Sequence, residues 1–133
     1  MHKNKALLFF ISMLMLALTA CNNEPRVYTT VAGAWVCEEF DRNGTRRFIV
    51  EIENVEDGII ISNLYNTGMN EIALAKYSNQ KITLNANQPI GFTSVILRSG
   101  SGNVSADFRT ITLKYQVSDN SQIIDVTANL SRQ

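Results

Sequence analysis

The side chains able to carry chemistry are few and scattered. The chain holds two cysteines, Cys21 and Cys37, one histidine, His2, and 12 acidic residues. Cys37 follows Trp35 by two positions, so in an extended strand the two share a face, and inside a core such a thiol packs as a small hydrophobe. A nucleophilic cysteine needs a neighbouring base or cation to lower its pKa, and no histidine lies near it in the chain. Glu38 and Glu39 are consecutive, which turns them to opposite faces of a strand and prevents them from acting as a carboxylate pair from their own backbone. Glu51 and Glu53 share a face roughly 7 Å apart, a spacing that any solvated, charged strand face also has. Asp57, Asp107 and Asp119 fall in separate turns and lack the dense acidic spacing of a calcium loop. Ser99-Gly100-Ser101-Gly102-Asn103 is glycine-rich, but a phosphate cradle needs a following helix or a Lys-Ser/Thr after the glycines, and neither is present. These residues predict no catalytic group, no metal site and no cofactor.

Cys21 has a different chemistry. Lys3 and Lys5 precede an apolar stretch from Ala6 to Leu18, broken only by Ser12. That is the charged-then-apolar plan of a secretory signal, and it is shorter than the roughly 20 residues a membrane span requires. Leu18-Thr19-Ala20-Cys21 resembles the bacterial lipobox, in which small residues admit the signal peptidase and the cysteine thiol carries a diacylglycerol. The resemblance implies cleavage after Ala20 and a second, amide-linked acyl chain on Cys21, and multiple chains make anchoring stable. Residues 1–20 are thus read as a signal peptide, 21–30 as lipidated N-terminus and tether, and 31–133 as one domain, the expected count for a mature chain of 113 residues.

Removing the signal removes His2, and with it the side chain most used for acid–base work near neutral pH. Ser-His-Asp and Cys-His catalysis and histidine-bound zinc are excluded from the mature chain on that reading. The 12 basic residues less Lys3 and Lys5 leave ten against 12 acidic ones. A net charge of about −2 offers no basic field for nucleic acid. With Cys21 acylated, Cys37 has no partner for a disulfide.

The elements that would position any site are strands. From Val31 onward apolar and polar residues alternate with a period of two, and the breaks fall at Gly, Asn, Asp and Ser clusters. Strands are expected over Ala34–Phe40, Arg46–Glu53, Ile59–Tyr65, Ile72–Tyr77, Lys81–Asn85, Phe92–Arg98, Phe108–Val117 and Gln122–Leu130. The turns between them include Asp41-Arg42-Asn43-Gly44, Asn79-Gln80 and Ser118-Asp119-Asn120-Ser121. Eight short strands in a meander predict an all-β fold, an eight-stranded antiparallel up-and-down β-barrel, with a two-sheet β-sandwich as the alternative. Closure also hides strand edges.

Gly33-Ala34-Trp35 at the start of the first strand resembles the Gly-x-Trp signature of the lipocalin and calycin barrels. In that superfamily the tryptophan plugs the closed end and an arginine near the end of the last strand packs over it. The resemblance assigns Gly33, Trp35 and Arg132 to such a plug. Ile61-Ser62-Asn63-Leu64 and Ile111-Thr112-Leu113-Lys114-Tyr115 are more loosely similar to the short calycin-like lipoproteins of Bacteroidetes, which places the anchor on the outer membrane by family likeness. The family plan implies a small apolar or amphipathic ligand in the barrel, and an interior filled by Phe48, Ile60, Leu84 and Ile96 would count against it.

The second reading is a protein-interaction or protease-inhibitory module without enzymatic activity, working through its loops on an envelope protein. Binding on a rigid β scaffold sits in its loops. The candidate positions are Asn66, Thr67 and Met69, then Asn87 and Gln88, and the glycine-rich Ser99, Ser101 and Asn103. An enzyme built on carboxylates would need two of them to converge about 5 to 10 Å apart in a cleft.

Overall fold

Alternation over short, turn-bounded segments produces a meander in which each strand of the barrel pairs with its neighbours on either side. The computed structural model describes residues 24–91 and 94–133; the expected signal peptide, Cys21 and the expected start of the sixth strand at Phe92 lie outside them. Nine strands follow one another: β1 (Gly33–Asp41), β2 (Gly44–Val55), β3 (Gly58–Ser62), β4 (Ile72–Ser78), β5 (Lys81–Leu84), β6 (Gln88–Pro89), β7 (Val95–Val104), β8 (Thr110–Asp119) and β9 (Gln122–Arg132). All pairings are antiparallel. β1 pairs with both β2 and β9, and β5 pairs with both β4 and β7. Eight strands therefore close into a barrel, with β6 as a two-residue addition against β7.

The two-residue turns use the left-handed backbone that right-twisted hairpins require. Asn79 and Gln80 have φ of 50° and 61°, and Asn120 and Ser121 have 47° and 66°. At the β1–β2 turn the Asn43 amide donates to Asp41 Oδ1 at 2.7 Å.

Inside, one face of every long strand joins a continuous cluster that includes Trp35, Cys37, Val50, Ile52, Ile61, Ile82, Leu97, Leu113, Val117 and Ala128. Each aliphatic side chain of this kind contributes about 1.5–3 kcal/mol on burial. Of the four residues whose packing inside the barrel would count against a ligand, Leu84 is buried and Phe48 packs against the core. Ile60 and Ile96 face outward, Ile96 at 41% exposure. Each sits in the middle of three consecutive aliphatics, Ile59-Ile60-Ile61 and Val95-Ile96-Leu97, where composition hides which residue the pleat turns inward.

Two segments differ from expectation. The third strand stops at Ser62, and Leu64–Asn66 forms a 3-10 turn instead of continuing it. Asn63, Tyr65 and Asn66 all have positive φ, between 55° and 68°, which no strand accommodates. The glycine-rich run 99–103, expected as a loop, is the middle of β7, paired with β8 and, through residues 100–103, with β5. A Cβ on Gly100 would stand 2.4 Å from Tyr115 Cβ and 2.7 Å from Leu84 Cδ1, and one on Gly102 2.5 Å from the Thr112 carbonyl oxygen. These glycines admit a close approach of neighbouring strands.

The barrel has two unlike ends. At one, residues 24–32 cross beneath β1, with Val31 fully buried. At the other, the β3–β4 and β5–β7 loops fold inward, and each buries an aliphatic side chain, Leu64 and Ile90, to 1% exposure. We call these the closed end and the mouth.

Candidate functional site

At the closed end, Trp35 Nε1 donates to the Val31 carbonyl at 2.9 Å. The Arg132 guanidinium lies 4.1 Å from the Trp35 ring centre and 4.5 Å from that of Tyr28, and the Arg109 guanidinium lies 5.4 Å from the Tyr28 ring centre. Arg132 also donates to three backbone carbonyls: Nη1 to Ala32 at 2.7 Å, Nε to Phe108 at 3.0 Å, and Nη2 to Thr30. Gly33, at φ +128°, leaves room for it, since a Cβ there would stand 2.6 Å from Arg132 Nη1. One cation thus ties the N-terminal segment, the β7–β8 loop and the end of β9 over a single indole.

The polar chemistry lies beneath the mouth. β1 continues its inward face through Trp35 and Cys37 to Glu39, whose side chain is fully buried. Its oxygens are all engaged. Oε1 accepts from the Tyr115 hydroxyl and, at 3.1 Å, from the Tyr65 amide, while Oε2 accepts from Arg46 Nη2 at 3.0 Å. Arg46 is the cross-strand neighbour of Glu39 in the β1–β2 register, half-buried, with its guanidinium 4.5 Å from the Tyr65 ring centre. The Tyr65 hydroxyl reaches Asp119 Oδ2 at 3.3 Å.

This network is nearly but not fully satisfied. Asp41 Oδ2 lies 3.0 Å from Arg46 Nη2, close enough for an ion pair, yet its direction makes no hydrogen bond, and Arg46 Nε has no partner. Burial pushes the Glu39 carboxyl above its usual 4.5, against the hydrogen bonds from Tyr115, Arg46 and Tyr65 that favour the charged form. Burial, then the nearby Glu39 carboxylate, raises the Cys37 thiol far above its ordinary range. A thiol held protonated is inert. Tyr115 is raised in the same way, by burial and by Glu39.

In chemical terms the cluster is a latch. The Tyr65 amide and the Tyr65 ring belong to the mouth loop, and Glu39 and Arg46 belong to the wall, so the contacts hold the loop down over the core. The buried amide of Asn63 helps, donating to the Ile49 carbonyl at 2.8 Å and accepting from the Gly68 amide at 2.7 Å.

Of the candidate loop positions, Asn66, Thr67 and Met69 sit in the mouth loop. Thr67 Oγ1 donates to the Leu64 carbonyl at 2.9 Å, and Met69 is 46% exposed. Asn87 and Gln88 sit in the loop beside it. Gln88 docks on β4, accepting from the Leu74 amide at 2.7 Å and donating to its carbonyl at 2.8 Å. Ser99, Ser101 and Asn103 are not loop residues: they point outward from β7, which takes them away from the mouth. None of the latch residues Glu39, Arg46, Tyr65 and Tyr115 is among the site residues expected from the sequence, where Glu39 is weighed only as half of a carboxylate pair with Glu38. The signal for one of them was available, because Glu39 continues the Trp35, Cys37 alternation by two more residues.

The described residues thus form a closed eight-stranded antiparallel barrel, plugged at one end and latched at the other, and compatible with the calycin plan. No family model, no curated protein and no solved structure matches the chain.

Proposed function

We propose that this is a lipid-anchored envelope lipoprotein, related in plan to the small calycin-like lipoproteins of Bacteroidetes. Its barrel works as a non-enzymatic interaction module that engages an envelope protein at its mouth. One observation carries this reading. Of the eight large apolar side chains exposed on the described surface, five belong to the mouth half of the barrel: Phe40 at the end of β1, Met69 in the mouth loop, Ile72 at the start of β4, Ile96 at the start of β7 and Ile123 at the start of β9. Exposed apolar residues gathered at one end of a domain mark an interaction surface. The continuous cluster of buried apolar side chains inside the barrel supports the same reading. Replacing Phe40, Ile72 and Ile123 by serine is expected to leave the fold intact and to remove cross-linking to an envelope protein in membranes of the producing bacterium. A wild-type chain that captures no reproducible partner there would overturn the proposal.

A second reading, a small amphipathic ligand, is supported by the latch. Lifting the mouth loop would remove Leu64 from the core and free Arg46 and Tyr115 toward an incoming polar group. Native mass spectrometry of protein extracted from its own membranes tests this; a mass equal to the acylated chain alone would count against it.

A further inference from the structure

The chain leaves the barrel toward its anchor at one end only, and that end has its own surface. Residues 24–32 cross the closed end, where the Arg26 carbonyl accepts from Arg109 Nη2 and the Tyr28 ring lies against the guanidinium groups of Arg109 and Arg132. Cys21 precedes Arg26 by five residues, which span at most about 18 Å however they are arranged. Val27, between these two fixed residues, is 85% exposed, the most exposed large apolar side chain described.

Resting on the anchoring proposed above, we infer that the closed end is a membrane-facing seat. Val27 enters the headgroup region of a phospholipid bilayer, Tyr28, Arg26 and Arg109 lie at the interface, and the mouth is directed away from the membrane. Aromatic and cationic side chains with apolar stems are the types that settle at such an interface. The occupant is the lipid surface itself, because the tether is too short to let the closed end rotate outward around a barrel whose ten-residue strands make it about 25 Å tall. The charges at this end are mixed: Arg26, Arg109 and Lys81 stand with Glu56, Asp57 and Asp107. The seat therefore does not require anionic lipid.

The test uses the full precursor, expressed with its signal, extracted and returned to phosphatidylcholine vesicles that contain a headgroup-labelled acceptor lipid. Single cysteines carry the donor dye, at the closed end in Asn79→Cys and Asp57→Cys, and at the mouth in Asn43→Cys and Asn120→Cys. Buried Cys37 stays unlabelled. Energy transfer is expected to be roughly twofold or more higher from the closed-end sites, given about 25 Å between the ends. Equal transfer, or stronger transfer from the mouth, would overturn the inference. Val27→Glu is expected to lower closed-end transfer without changing acylation; no change would refute the seat. The mass of the N-terminal peptide separates the two levels: a Cys21 without diacylglycerol would bring down the anchoring proposal, and this inference with it.

Discussion

Glu39 is the residue on which the mouth depends, and its energetics are those of a buried charge with a partly exposed partner. Removing one member of such a pair leaves the other uncompensated, which costs more than the pair itself contributes. Glu39→Met is therefore expected to lower stability by about 3 kcal/mol, read as the shift in the denaturant midpoint at constant slope. Glu39→Met combined with Arg46→Met should be more stable than the single variant, because no orphaned guanidinium remains; a double variant as unstable as the single one would contradict the pairing. The pH dependence has a definite sign. Since the folded-state pKa of Glu39 is raised above its ordinary 4.5, this group favours the folded state most below that value, and the contribution is lost as pH rises through the folded pKa. Wild type minus Glu39→Gln, both unfolded with urea, should give a stability difference that falls as the pH rises above 4.5. A difference that rises would mean that the partners outweigh burial. In the sequence only half of this site was legible. Alternation puts Glu39 beside Trp35 and Cys37, whereas Tyr115 and Tyr65 are 76 and 26 residues away and meet it only through closure.

At the scale of elements, the strands were readable because their inner faces alternate. The segments that escaped were those where another constraint overrode the pattern. β7 carries Gly100 and Gly102 at positions where closure leaves no space for a Cβ, so a run with the composition of a flexible loop is one of the most tightly fitted strands. Gly100→Ala is expected to cost about 1–3 kcal/mol by overpacking, although alanine normally strengthens a strand relative to glycine; a neutral or stabilising result in thermal unfolding would show that the run is slack. The mouth loop escaped for the opposite reason. Leu64 and Tyr65 continue the β-like composition of β3, but positive φ at Asn63 turns the chain inward. At the closed end, Arg132→Ala deprives the Thr30, Ala32 and Phe108 carbonyls of a donor and uncovers the indole. A loss of about 2 kcal/mol and a red shift in the fluorescence of the chain's single tryptophan are expected. Lysine at this position should not restore either, since a point charge cannot stack on two rings and reach three carbonyls.

For the whole molecule, closure decides what is available to a partner. An eight-stranded barrel leaves no long free edge, so recognition by strand addition is closed off, and the proposed interaction would fall to side chains on the wall and at the mouth. The same closure explains why the barrel was legible and its contents were not. Strand number and spacing specify a cylinder of about the right girth, but whether it holds a ligand depends on how its loops fold back.

One detail of the closed end reaches further. The Tyr28 hydroxyl donates to the Gln133 carbonyl at 3.4 Å, so the described residues begin and end at the same pole of the barrel. Termini this close can be joined by a short linker and the chain reopened elsewhere. A circular permutant cut between Asn120 and Ser121 and fused there to the proposed lipidation signal would keep every strand pairing and, under the proposed anchoring, hang from the membrane upside down. Such a molecule should fold with a melting temperature near that of the parent, yet be silent toward a partner met at the mouth. Full partner capture by the inverted barrel would mean that its bearing on the membrane carries no information.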